Sequence, residues 1–150
     1  MNKEKGKRKK EKSEKLMERP ENKNDLEERL FAFSLRVVRL YQRLCKHSDM
    51  GRIFGKQLLR SGTSIGANYQ EAQAGQSRAD FISKASVSLK EARETHYWLR
   101  LVIESELVQR ELIADLLDES DQIKRILGAI VARCKQKYAR PTKSTPTGKA

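Results

Sequence analysis

From Asp25 onward, Leu26, Leu30, Phe33, Val37, Leu40 and Leu44 recur in alternating steps of four and three. That spacing keeps every member on one side of an α-helix, whereas a half-buried strand would alternate with period two. Three more stretches repeat the pattern. Phe54, Leu58, Gly62, Ile65, Tyr69 and Ala72 mark a second helix, running from about Arg52 to Ala74. Phe81, Ala85, Leu89, Ala92, His96, Leu99 and Ile103 mark a third, and Leu112, Leu116, Ile123, Leu127, Ile130 and Cys134 a fourth, which the Arg140-Pro141 pair stops. Helices of this length joined by loops of a few residues must double back. The expected fold is therefore all-α, an antiparallel up-down-up-down four-helix bundle over residues 25–138.

The local signals agree with that reading. Asp25 can accept from the free amides that open the first helix, and the polar His47-Ser48-Asp49-Met50-Gly51 segment is expected to end it. Gly75 is expected to close the second helix in a left-handed conformation, and Ser77 with Asp80 resembles a capping box for the third. On the first helix a second stripe, Phe31, Leu35, Val38 and Tyr41, runs beside the main seam and predicts two buried faces.

Charge separates the body from its ends. Residues 1–24 hold ten Lys and Arg against five Glu, and residues 139–150 add three cations and no acid, leaving +4 of the net +12 for the middle. The first lacks the aromatic and β-branched residues needed for a core and the last holds two of the three prolines, so both read as disordered basic tails. Such tails attract polyanions in a salt-dependent way, though a Lys/Glu mixture is also an ordinary solubilising arm. No stretch approaches the roughly 18 to 20 apolar residues that span a bilayer, and the lysine-rich start has no apolar signal core behind it. Cys45 and Cys134 each sit in a helical pattern and suit free thiols in a reducing compartment. A cytoplasmic protein is expected.

The second helix carries an anomaly. Over Arg60 to Gln70 it places Ser61, Gly62, Thr63, Ser64, Gly66, Ala67 and Asn68 in mid-helix, where each glycine costs about 1 kcal/mol relative to alanine. Close approach of a neighbouring backbone, in the bundle or between subunits, would compensate. Arg60, Ser64, Asn68 and Glu71 also form a polar ridge at helical spacing. Structurally, such a ridge orders packing through hydrogen bonds; functionally, it lines a site.

The run from Gln57 to Val102 resembles the core of the 23S rRNA intervening-sequence protein family, small bacterial four-helix bundles. Its signature, R-x-x-x-S-I-x-x-N-x-x-E-(A/G), is met by Arg60, Ser64, Ile65, Asn68 and Glu71. Ser77, Arg78, Asp80 and Phe81 stand where the family has its S-x-x-[DE]-F start to the third helix. Glu71-Ala72 replaces the familiar Glu-Gly, and the tails fall outside the similarity. The resemblance implies a ring-shaped homopentamer with no established catalytic activity. It also implies kinship with the accessory protein of diversity-generating retroelements, a basic pentamer that works with a reverse transcriptase and nucleic acid. The family name records genes inside rRNA insertions rather than an activity.

Little in the sequence points to catalysis. Gly55-Lys56 lacks the rest of a phosphate-binding loop, and Cys45 and His47 are two apart on a helix, pointing to different faces, so neither a cofactor nor a metal is expected. His96 lies on an apolar stripe and reads first as a core histidine bonded to a polar neighbour, and second as a proton carrier. Ser61, Ser64 and Ser86 have no evident base. Three hypotheses follow: a non-catalytic, self-assembling bundle that binds RNA or DNA, a protein-interaction scaffold, and a bundle with an enzymatic pocket. The first is expected. Its candidate contacts are Lys7, Arg8, Lys9, Lys10 and Lys12 in the tail, and Arg78, Arg93 and Arg100 on the third helix.

Overall fold

A computed structural model describes residues 23–139. They form α1 (Lys23–His47), α2 (Asp49–Gln73), α3 (Arg78–Glu104) and α4 (Arg110–Ala139), and no strand occurs among the described residues. Residues 1–22 and 140–150 of the two basic tails lie outside them, whereas Lys23, Asn24 and Ala139 of those tails are helical.

All six residues of the α1 seam are buried, and Leu58, Ile65, Leu99, Ile123 and Leu127 meet them in one core. Sequential helices run antiparallel, as descending pairs of contacts record. Gly55 faces Tyr41, Gly62 faces Val37 and Gly66 faces Leu30 across the α1–α2 boundary. Ser61 meets Thr95 and Ile65 meets Ser88 between α2 and α3, while His96 meets Ser120 between α3 and α4. The result is a four-helix bundle in which each helix lies mainly against its neighbours in sequence. The remaining seam, α1 against α4, is open except near Arg29.

The small residues of α2 explain its closeness to both neighbours. A Cβ on Gly62 would lie 2.8 and 2.9 Å from the two methyls of Val37, so only a hydrogen fits there. Facing α3, Thr95 Oγ1 donates to the Glu91 carbonyl (2.7 Å) and reaches Ser61 Oγ (3.0 Å), and Ser88 Oγ donates to the Ile65 carbonyl (2.7 Å). Ser61, Ser88, Thr95 and Ser120 are all buried, and every one is hydrogen-bonded, as burial of a hydroxyl requires.

Four expectations need correction. Phe31 and Leu35 are 57% and 43% exposed, because α1 has neighbours only toward α2 and α4 and none of the described residues covers its outer flank. Leu112 is likewise 49% exposed, at the open seam. Gly75 has no positive φ. The end of α2 closes instead through tight bonds from the Ala74 and Gly75 amides, and Glu106 holds the left-handed conformation (φ 58°) in the α3–α4 loop. The polar segment ends the first helix as expected, but the second begins at Asp49 rather than about Arg52. Ser48 alone separates α1 from α2, its hydroxyl accepting from the Gly51 amide (3.0 Å), and Gly51 sits in the first turn against the Leu44 carbonyl.

Candidate nucleic-acid interface

The outer face of α3 carries Lys90, Arg93, Tyr97 and Arg100, in steps of three and four. Helical geometry stacks them along one side over about 15 Å. All four are exposed, and none of the three cations makes an ion pair among the described residues. That contrasts with Arg60, Arg52 and Arg110, each of which meets a carboxylate. Tyr97 is 57% exposed and is braced edge-on by Trp98 (centroids 5.3 Å apart), which in turn packs against Phe54 (5.6 Å). The tyrosine thus offers a wet, supported ring between cations. Sequence reasoning found Arg93 and Arg100 but passed over Lys90 and Tyr97; the interleaving of an aromatic at the same spacing was the available signal.

The other candidates fall elsewhere. Arg78 is the first residue of α3, about three turns from Lys90, and does not join this face. Lys7, Arg8, Lys9, Lys10 and Lys12 lie outside the described residues. On α4, Asp121 is bound by both Lys124 (2.9 Å) and Arg125 (2.8 Å), and Lys124 above all holds its carboxyl below the usual range.

Of the signature residues, Arg60 and Glu71 tie α2 to α3 through ion pairs. Arg60 grips Glu94 closely and Glu91 at 3.3 Å, which keeps the guanidinium more firmly charged and holds the Glu94 carboxyl below its ordinary value. Ser64 Oγ donates to the Arg60 carbonyl (2.6 Å), and Asn68 Nδ2 donates to the Ser64 carbonyl (2.9 Å). Ile65 is buried, Glu71 meets Lys84 (2.8 Å), and the Ser77 hydroxyl caps α3 by accepting from the Asp80 amide (3.1 Å). Phe81 packs, half-buried, on the core. These contacts are spread along the length of α2 and do not converge on one pocket.

His96 is half-buried, and its Nδ1 lies 2.9 Å from Ser120 Oγ. The hydroxyl proton of Ser120 goes to the Leu117 carbonyl (2.6 Å), so Ser120 accepts and Nδ1 carries the proton. Burial, then the positive charge of Lys124, push the imidazole below its usual value. The imidazole is thus tied to a buried neighbour. Cys45 and Cys134 are free, and among the described residues no group of three or more His, Cys, Asp or Glu could hold a metal ion. No helix among them is long and apolar enough to cross a membrane.

The sequence profile of the 23S rRNA-intervening sequence protein matches residues 22–129, most of the chain and all but the last turns of α4. The protein belongs to that family. A crystal structure at 1.70 Å of a protein of unknown function from the S23 ribosomal protein family of Bacteroides thetaiotaomicron VPI-5482 is similar to it. The two share 42% sequence identity, with a TM-score of 0.66, over 73% of this chain and 96% of the other. No curated protein matches. As a member of the 23S rRNA-intervening sequence family, the chain keeps Arg60 and Glu71 as ties between α2 and α3, with Ser64 and Asn68 bonded within α2 between them.

Proposed function

We propose that this protein is a non-catalytic bundle of the bacterial cytoplasm that assembles with itself and binds RNA or DNA through the outer face of α3, aided by its basic tails. The observation that carries this reading is the Lys90–Arg93–Tyr97–Arg100 row, in which cations with no carboxylate partner alternate with an exposed ring. Unpaired cations bind phosphate by releasing counterions, and a ring supports an unstacked base whatever its sequence. The site therefore suits single-stranded nucleic acid with little sequence preference. Assembly is supported by the bare Phe31 and Leu35 on α1, which a second copy would cover, and family kinship makes a homopentamer the expected ring. A ring would repeat the α3 row, so that each contact counts several times, and an accessory role beside a reverse transcriptase fits such a surface.

The test is binding of mixed-sequence single-stranded RNA over a salt series, with the assembly followed by light scattering. Arg93→Ala with Arg100→Ala should flatten the dependence of log affinity on log salt by up to about 0.7 for each lost phosphate contact. Tyr97→Ala should weaken binding by about 1 to 3 kcal/mol per stacked base and leave the slope unchanged. The reading fails if wild-type protein does not bind RNA near physiological salt. Exposed Phe31 and Leu35 equally suit the second reading, a protein-interaction scaffold, which that negative result would favour.

A further inference from the structure

The open seam between α1 and α4 is built differently from the α3 face. Near one end the helices are clamped: Arg29 reaches Glu119 through Nε (2.6 Å) and Nη2 (2.9 Å), and Nη2 also donates to Gln122 (2.8 Å). Beyond the clamp they part. A groove of about 290 Å³ opens over Leu40, Ile113 and Leu116, then continues, through the shared Arg43 and Leu112, into a depression of about 420 Å³ below the α3–α4 loop. The floor is aliphatic: the half-exposed Leu112 sits at its middle, while Leu40, Ile113 and Leu116 are core residues that show only their edges.

One rim is basic. Arg36, Arg39, Arg43 and Lys46 follow one another on α1 in steps of three, four and three, so they share a face for about 15 Å. All are exposed, and none makes an ion pair among the described residues, although Arg29, seven residues before Arg36, is held on two sides. Glu106 is the single acid in the lining of the trough. The walls contain no Phe, Tyr or Trp, which distinguishes the trough from the Tyr97 face and leaves an unstacked base without an aromatic support.

We infer that this trough receives an acidic amphipathic α-helix of a partner protein, its leucine-type face on the half-exposed Leu112 and its carboxylates along Arg36, Arg39, Arg43 and Lys46. The length fits about three turns of such a helix, and the pairing of an apolar floor with a charged rim is how grooves read a helix face. The chain's own tails do not fit, because both are net positive and would be repelled by the rim. The acid-rich start of α4 from a second copy does not fit either, because Ile113 and Leu116 are already buried in its own bundle. The inference is independent of nucleic-acid binding by α3.

The probe is a fluorescein-labelled peptide of about fourteen residues with Leu on one helical face and Glu on its flanks, alongside a control peptide with Lys in place of Glu. Anisotropy with the full-length protein near physiological salt should show saturable binding of the first only. Arg36→Glu with Arg39→Glu and Arg43→Glu should weaken it about tenfold or more, and Leu112→Glu should do the same, while Lys90→Glu with Arg93→Glu should leave it unchanged. Leu112 is half-exposed, so that single variant stays informative if the triple variant loses its helical circular dichroism. The inference is overturned if neither peptide binds, or if both bind alike. It is overturned equally if the α1 variant abolishes RNA binding with no effect on the peptide, which would make the trough a polynucleotide site. A fall in assembly mass on Leu112→Glu would overturn it too, by assigning the trough to a second copy.

Discussion

Gly62→Ala sets a local gain against a tertiary cost. In an isolated helix alanine would stabilise by about 1 kcal/mol over glycine. Here the new Cβ would meet the Val37 methyls at 2.8 and 2.9 Å, closer than real Cβ atoms come to a neighbour, and Val37 Cβ at a tight 3.2 Å. Val37 is wholly buried and β-branched, so it has few rotamers to escape into, and α1 must shift instead. Overpacking of that kind costs about 1 to 3 kcal/mol, which leaves the variant net destabilised by up to about 2 kcal/mol. At about 2 to 4 °C per kcal/mol, the melting temperature should fall by several degrees. Urea unfolding followed by circular dichroism, at one fixed protein concentration, gives the free energy directly. The diagnostic step is to repeat the substitution in a Val37→Ala background. With the methyls gone only the 3.2 Å approach to the retained Cβ is left, so Gly62→Ala should become stabilising by up to about 1 kcal/mol and the sign reverses within one double-mutant cycle. An alanine that stabilises the wild-type background by its full propensity would refute the close-contact argument. So would a cost that persists without the Val37 methyls, which would locate the collision elsewhere.

Three further outcomes are expected. Gly51→Ala should destabilise more than Gly62→Ala, because its Cβ would fall on the Leu44 backbone oxygen, which no rotamer change can move; equal melting temperatures for the two variants would count against this. His96 should make stability depend on pH. Its folded value is pushed down by burial and Lys124, so its contribution is complete above the usual imidazole value of about 6.5 and is lost as pH falls through the lower folded value. His96→Asn should remove that acid-side slope in a denaturation series. Phe31→Ser with Leu35→Ser should lower the assembly mass in light scattering while keeping the helical signal, since both side chains already face solvent within the protomer; an unchanged mass would clear that stripe of any role in assembly.

The helices were legible because each carries a long apolar repeat, and the α1 seam is buried at every position the spacing named. Partnership was less legible. Phe31 and Leu35 are as apolar as the seam beside them, and nothing local says that a helix in this bundle has two neighbours rather than three. The polar, small stretch of α2 announced an unusual contact, yet its partners Val37, Ser88 and Thr95 lie 23 or more residues away, and Ser88 and Thr95 look like surface residues in a linear reading. For the candidate sites the difficulty is sharper. An arginine's availability depends on whether a carboxylate comes to it through the fold, as Glu119 comes to Arg29 across 90 residues and none comes to Arg36. The repeat of cations on α1 therefore looked ordinary until the seam beside it was seen to be open.

That open seam has a consequence for how the molecule forms and breathes. Nearly all backbone proximity joins helices adjacent in the chain, and among the described residues the Arg29 clamp supplies the side-chain hydrogen bonds between the first helix and the last. Contacts of short sequence separation close small loops, so the three hairpins can zip in succession and folding should be fast for a chain of this length. The same topology leaves α1 and α4 each fastened along one flank, so partial opening at this edge exposes less apolar surface than separating α2 from α3. Amide hydrogen exchange should therefore grade across the bundle, slowest where Ser61, Ser88 and Thr95 lock the central pair and fastest where the two outer helices part company.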